Sequence, residues 1–467
     1  MSDQTTQTDQ NSSLEQKPQA RKPSVLFASP MNILDISSGA ALSMRTLLAQ
    51  LAGQGWNVTA LGATLFDSSH GGEHVIEAGK QVSQEKKILR SQVLGINNII
   101  VRTKEFRRAD MTCLEQENYY RQWRLQLRDH RPDAIILWGG MLLEMTVMRE
   151  AQMLGIPVIF YLVNSGYKWK STFEYVSVVI TDTQATAQMY WDRYQMKCHA
   201  LGKFIDPSLI KATSREPKYI TYINPSWEKG VNVFMPMARL AAKRYPEIKF
   251  LVVQSRGRWA NALAAFKFKK EEFPNVTIIG HQKEMKKVYG VARVVLLPST
   301  WIESGARVIP ESLINGVPVI GSNTGGTAEL IGEGGLVLDL PEVVKEEKLK
   351  PAPDEVAEEW LEVVHRAWHD EKFLAKLEAG VAKEAPKHEI GATVNRLLEV
   401  ITPVIKAGKG DTSIKQEEFL PFPETPRLGQ KATANQVKGK SKKPANRKAA
   451  RAMAAKTRSK KKKGKKR

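Results

Sequence analysis

The sequence predicts an α/β protein built from two successive parallel-sheet domains. Three observations carry this. Short apolar runs bounded by turn residues alternate with helical stretches along most of the chain. The alternation restarts after a linker that begins at Asp206. A chain of 467 residues that is 42% hydrophobic has enough material for two cores plus tails.

The elements follow in order. SVLFAS (Ser24–Ser29) is an apolar run bounded by turn residues, as a buried first strand should be. The small-residue loop SSGAALS comes next, then the helical stretch MRTLLAQLAGQG, then a strand at Trp56–Leu61. Strand, Gly-containing loop, helix and strand make a Rossmann-like opening. Further strands are expected at Asp133–Trp138, Pro157–Val163 and Val176–Thr181. The second cycle offers Tyr219–Ile223, Lys249–Gln254, Val276–Ile279, Val294–Leu297 and Pro318–Ile320, with helices such as Val233–Arg244 between them. Amphipathic helical patterns then appear in WLEVVHRAW and IGATVNRLLEVITPVI.

The richest stretch runs from Leu297 to Leu340. Glu303 and Glu311 stand eight positions apart, with Gly305 between them and Gly316 and the strand-like VPVIG after them. Pro310 is tolerated only near a helix start, and Gly316 suits the position just past a helix end. Glu303 is therefore expected in the loop entering a helix and Glu311 in its first turn. A helix start turns N–H groups and a positive dipole end towards that loop. Carboxylates beside such an anion site suit the hydroxyls of a sugar, which points to a nucleotide-sugar site. The bland alternative is one more strand–helix–strand unit with solvated acids.

The string Glu303, Gly305, Glu311, Gly316, Pro318, Gly325, Gly326 and Glu329 weighs against that alternative. It resembles the signature of family 4 glycosyltransferases, the "group 1" type of the GT-B fold, which is α/β with two Rossmann-like domains facing across a cleft. The resemblance covers about residues 24–406 and is specific in the C-terminal half. It implies an N-terminal acceptor domain at 23–205, a linker at 206–215, a donor domain at 216–385 and a helix at 386–407 returning towards the N-terminal domain; composition adds a disordered segment at 1–22 and a disordered Lys/Arg-rich tail at 408–467. It implies a retaining, hexosyltransferase-type enzyme of polysaccharide biosynthesis. The co-substrate would be a UDP- or GDP-type sugar, with no cofactor; the sequence has no Asp-x-Asp pair to suggest a metal.

The resemblance also assigns roles. Glu303 would hold donor-sugar hydroxyls and Glu311 the ribose hydroxyls. Lys229, in SWEKG, would stabilise the diphosphate as charge grows on the leaving group. Glu303 and Lys229 form the catalytic pair. The family's Arg five residues before this Lys is here Asn224, which can hydrogen-bond a phosphate but brings no charge. Arg256 is either its substitute or a plain loop cation. Gly39, beside Ser38 and Ala40, matches the glycine loop whose backbone approaches the diphosphate. Asn164 stands where many relatives carry an active-site His, so it lines the sugar site without acid or base chemistry. His281 follows the turn that reads the base edge, or is a surface histidine. Ser304, Gly305 and Ala306 with Gly325 and Gly326 complete the donor-binding set. Trp301 could wall the pocket but is expected to fill the core.

Charge is unevenly placed. Sixteen Lys and Arg and no acid lie between Lys438 and Arg467, so of the net +21 only +5 belongs to the rest of the chain. The tail reads as solvated and low in complexity. It suits an anionic membrane surface better than nucleic acid, because no aromatic residue follows Phe422. Cys113 and Cys198 are too few for a disulfide framework or a zinc site and fit a reducing compartment. The first 22 residues resemble neither a secretory signal nor an anchor. The expected location is cytoplasmic, with a peripheral station at the inner membrane face. The expected partners are the nucleotide-sugar donor and a glycan or lipid-linked acceptor. The rival reading is a non-catalytic GT-B scaffold tethered by its tail to membrane or nucleic acid.

Overall fold

The computed structural model describes residues 21–408 of the chain, apart from Gln84 and Lys283. Nearly all of the two predicted tails lies outside the described residues. The first sheet holds eight strands: β1 (Ser24–Ala28), β2 (Asn57–Ala63), β3 (Ile88–Val93), β4 (Ile96–Val101), β5 (Ala134–Leu137), β6 (Val158–Leu162), β7 (Val178–Thr181) and β8 (Cys198–Ala200). Their order is β3-β4-β2-β1-β5-β6-β7-β8, and all pairs are parallel except β3 with β4. The second sheet holds β9 (Tyr219–Ile223), β10 (Phe250–Val253), β11 (Val276–Ile279), β12 (Ala292–Leu297), β13 (Val319–Ser322) and β14 (Gly335–Leu338), in the order β11-β10-β9-β12-β13-β14.

Continuous apolar runs such as AIIL in β5 and VIFYL in β6 are buried along their whole length. Helices cover both faces of a parallel sheet, so its strands need no polar side. β1 pairs with β2 on one side and β5 on the other; β9 pairs with β10 and β12. The strand order reverses at these two points, and ligand crevices open beyond the carboxyl ends of strands where that happens. The loops that carry Lys229 and Glu303 follow β9 and β12 and therefore meet at one such point.

Each sheet anchors its own core. Phe27, Met44, Ile136, Tyr161 and Phe204 pack in the first, where the helix Ile390–Gly408 adds Val394, Leu397, Ile401 and Ile405. Tyr222, Phe234, Phe250, Trp259 and Trp360 pack in the second. A further cluster of Val295, Ile309, Leu313, Val319 and Ile331 lies beneath the β12 loop and fixes the helix Val308–Ile314 that follows it.

Four strands went unread in the sequence: β3, β4, β8 and β14. The first two form a hairpin whose turn is Leu94-Gly95, both with positive φ (53° and 75°). That backbone normally announces itself as Asn-Gly or Asp-Gly, and a leucine there hides it. β8 is three residues long, and GLVL of β14 is too short to separate from loop by periodicity. No helix among the described residues is long and apolar enough to cross a membrane.

His388 carries a pH prediction. Burial holds its imidazole below the usual histidine range, with Nε2 3.2 Å from the Leu330 carbonyl. The neutral ring is the form the fold prefers. Its stabilisation is thus complete above the unfolded pKa of about 6.5 and is lost as pH falls through the lower folded value. Urea midpoints should be lower at about pH 5.5 than at about pH 7.5. His388→Leu should shrink that difference, and an unchanged difference in the variant would assign the acid loss elsewhere.

Candidate active site

The loop after β9 turns sharply. Asn224 adopts a left-handed backbone (φ 66°), and its Oδ1 accepts from the Gly257 N–H at 2.7 Å. Gly230 caps the helix Val231–Arg244 with φ 75°, and a Cβ there would collide with the Pro298 carbonyl. Only glycine lets the β9 and β12 loops press together. Their contact brings Lys229 to Glu303: Lys229 Nζ donates to Glu303 Oε1 at 2.5 Å, and Ser299 Oγ donates to the same oxygen at 2.6 Å. Glu303 is 6% exposed, and its Oε2 accepts no hydrogen bond among the described residues. Lys229 also borders a cavity of about 330 Å³ lined by Ser226, Trp227, Arg256, Arg258 and Asn261.

Glu311 lies in the first turn of the helix Val308–Ile314. Both of its oxygens are engaged. Arg307 Nε donates to Oε1 at 2.9 Å, and the Tyr289 hydroxyl donates to Oε2 at 2.7 Å. Arg307 also reaches the first domain, where its Nη1 donates to Ser43 Oγ at 2.9 Å and to the Phe204 carbonyl at 3.0 Å. Gly39 lies against the same side chain: a Cβ built on it would be 3.5 Å from Arg307 Cδ. The sequence did not single out Arg307 or Tyr289.

Ser304, Gly305, Gly326 and Glu329 face the first domain across a seam. Ser304 Oγ donates to the Val163 carbonyl at 2.5 Å, and the Ser304 carbonyl accepts from Thr183 Oγ1 at 2.8 Å. A Cβ at Gly305 would come within 2.5 Å of Asp182 Cβ. Gly326 N–H donates to the Glu303 carbonyl at 2.7 Å and so ties the Gly325-Gly326 turn to the β12 loop. Glu329 accepts from the Gln184 and Ala185 N–H groups at 2.8 and 2.9 Å, capping a helix of the other domain. Behind Gly305, Asp182 accepts from Lys203 Nζ and the Tyr161 hydroxyl, each at 2.6 Å. Burial pushes the Asp182 carboxyl upward, and the Lys203 charge opposes it.

The other predicted residues scatter around this centre. Asn164 is half-buried, and its Oδ1 accepts from Gly166 N–H at 2.8 Å. Arg256 stands 3.6 Å from Asp67, and Arg258 Nη2 lies 3.0 Å from His70 Nε2; both reach the first domain. Ala306 is buried in the cluster under the loop, and His281 is half-buried just past β11. Trp301 is 42% exposed and walls a cleft of about 950 Å³ with Ile302, Met189 and Asn323 rather than filling the core. Among the described residues no group of three or more His, Cys, Asp or Glu is placed to hold a metal ion.

The fold has counterparts among known proteins. Residues 217–351 match the family described as "Glycosyl transferases group 1". Compared with curated proteins, the sequence finds no match. Among solved structures, the chain is similar to a sucrose-phosphate synthase from Thermosynechococcus elongatus (14% identity, 83% of this chain and 100% of that one, TM-score 0.60). It is also similar to HepE of Anabaena in complex with UDP-glucose (14% identity, 81% and 99% covered, TM-score 0.58). A third likeness is the pneumococcal O-GlcNAc transferase GtfA in complex with UDP and GlcNAc (13% identity, 82% and 99% covered, TM-score 0.58). Identities this low speak for the fold alone: the chain has the GT-B fold, and residues 217–351 within its second domain are similar to group 1 glycosyl transferases.

Proposed function

We propose that this chain is a retaining glycosyltransferase moving a sugar from a nucleoside diphosphate donor to a hydroxyl of a glycan or lipid-linked acceptor. The observation that carries the reading is the Lys229–Glu303 pair. Lys229 and Ser299 fix one oxygen of Glu303, and the other accepts no bond among the described residues, leaving it for a donor-sugar hydroxyl. The cation beside it is placed where charge grows as the diphosphate departs. In the reaction the bond from C1 to the phosphate oxygen breaks, and a bond from C1 to the acceptor oxygen forms on the same face. The acceptor proton passes to the departing phosphate, so Asn164 needs no acid–base chemistry. Neither a cofactor nor a metal enters this scheme.

The non-catalytic scaffold remains the second reading, favoured by one observation: both oxygens of Glu311 are already engaged by Arg307 and Tyr289. Release of nucleoside diphosphate from UDP- or GDP-sugars by purified protein separates the two. Activity that disappears in Lys229→Ala supports transfer; release no faster than without protein supports the scaffold.

The basic tail, outside the described residues, is proposed to hold the protein at an anionic cytoplasmic membrane face. Its contribution is electrostatic and screened over about 8 Å at physiological salt. A chain lacking residues 409–467 should keep its nucleotide binding and lose its salt-sensitive binding to vesicles containing anionic lipid. Equal vesicle binding by both forms would move the contact to the folded body. Salt-resistant binding of RNA by the tail would favour the nucleic-acid partner.

A further inference from the structure

We infer that Arg307 is the second cation for the donor's diphosphate, supplying from the seam between the two domains the charge that position 224 lacks. This deepens the proposed nucleotide-sugar site and rests on it.

The other side chains around the β9 loop are engaged with protein groups. Asn224 is 8% exposed, neutral, and holds the Gly257 N–H. Arg256 and Arg258 reach Asp67 and His70 of the first domain. Lys229 is then the one cation on the β9 loop, and it already pairs with Glu303. Arg307 stands elsewhere. Its guanidinium bridges Glu311, the proposed ribose carboxylate, and Ser43, and its Cδ lies beside Gly39, the proposed diphosphate loop. A ribose held by its 2′ and 3′ hydroxyls directs its 5′ phosphates away from the carboxylate. A diphosphate running from Glu311 towards Gly39 must pass the guanidinium between them.

The charge around this point is also incomplete. Arg45 lies on the same helix as Gly39 and Ser43 and makes no hydrogen bond or ion pair among the described residues. Burial lowers its proton affinity, the neighbouring Arg307 charge lowers it further, and Asp35 opposes both. Asp35 itself accepts from Ser37 and from the Asp67 N–H. Glu311 neutralises Arg307, and among the described residues nothing pairs directly with Arg45. An anion entering here meets two guanidinium groups, and Arg307 can exchange its Glu311 oxygen for a phosphate oxygen while Glu311 turns to the ribose. Such exchange conserves charge-assisted hydrogen bonds on both sides.

The test is titration calorimetry of the full chain with UDP, GDP, uridine and guanosine, on wild type, Arg307→Lys and Arg307→Ala, with melting curves to confirm folding. Wild type should prefer one diphosphate over its nucleoside. Arg307→Ala should weaken that diphosphate by about tenfold or more, leave the nucleoside within about twofold, and be partly rescued in Arg307→Lys. Equal weakening of nucleoside and diphosphate would make Arg307 only the orienter of Glu311 and overturn the inference. Tighter binding of both would make it a competitor for Glu311 and overturn it too. Should Arg307→Ala fail to fold, unchanged diphosphate affinity in Arg307→Gln would overturn it. A wild type that binds neither diphosphate removes the underlying site as well, a result visible before any variant is made.

Discussion

Replacing Lys229 by Ala should depress turnover at saturating donor by roughly 10²–10³, beyond any change in donor affinity. Lys229 Nζ sits 2.5 Å from Glu303 Oε1, on a loop locked against the β12 loop by Gly230. A cation held this way requires no reorganisation when charge develops on the leaving diphosphate. Steady-state kinetics separate the possibilities. A fall in kcat supports a transition-state role. A rise in KM alone would make Lys229 a uniform binder of ground and transition states. Melting curves should accompany the kinetics, because the Glu303 carboxylate is left with Ser299 as its remaining hydrogen-bond donor among the described residues.

Glu311→Ala should have the largest effect on stability and, through the same atoms, a large effect on nucleotide affinity. The Arg307–Glu311 side chains are 11% and 8% exposed. Removing one partner of a buried pair typically costs about 3–5 kcal/mol, because the other charge stays behind. The Tyr289 hydroxyl loses its acceptor as well. Arg307 links the helix Val308–Ile314 to Ser43 and Phe204, so the loss should appear as a weakened seam between the domains. Glu311→Gln keeps an acceptor and the side-chain volume. It should remain folded yet bind nucleoside diphosphate more weakly, since a carboxylate holding ribose hydroxyls contributes about 1.5–3 kcal/mol per bond. Retained affinity in a folded Glu311→Gln protein, beside a destabilised Glu311→Ala protein, would make Glu311 a structural tie and nothing more.

The fold was legible where periodicity is strong. β9 and β11 match the expected strands to the residue, and β1, β5 and β6 differ by one or two residues at their ends. Glu311 falls in a first helical turn, and Gly316 carries the positive φ (68°) that a helix exit needs. The Leu94-Gly95 hairpin stayed hidden because its turn lacks the residues that mark such turns.

The site was legible only as a string. Spacing located Glu303 and Glu311 but could not show their partners. Arg307 sits between the two acids and reads in sequence as filler; its contacts lie at Ser43 and Phe204, 264 and 103 residues away. Asp182 and Lys203 are similarly invisible, since each gains its meaning from burial behind Gly305. Gly326 and Glu329 read in sequence as parts of one signature string, and the sequence could not show that Gly326 also ties its turn to the β12 loop or that Glu329 caps a helix of the opposite domain. Local sequence reports spacing, and which motif residue meets ligand and which meets protein is decided by packing between the domains.

The central claim is that this cleft binds a nucleoside diphosphate and its sugar. Thermal denaturation of the full chain with a panel of nucleoside diphosphates and their sugars tests it most directly. At a hundredfold its dissociation constant, the correct nucleotide should stabilise the protein by about 2.7 kcal/mol. The account predicts such a shift for one base, shared by the diphosphate and its sugar and reduced in Glu311→Gln. The absence of any shift across the panel, in a protein that melts cooperatively, would contradict it.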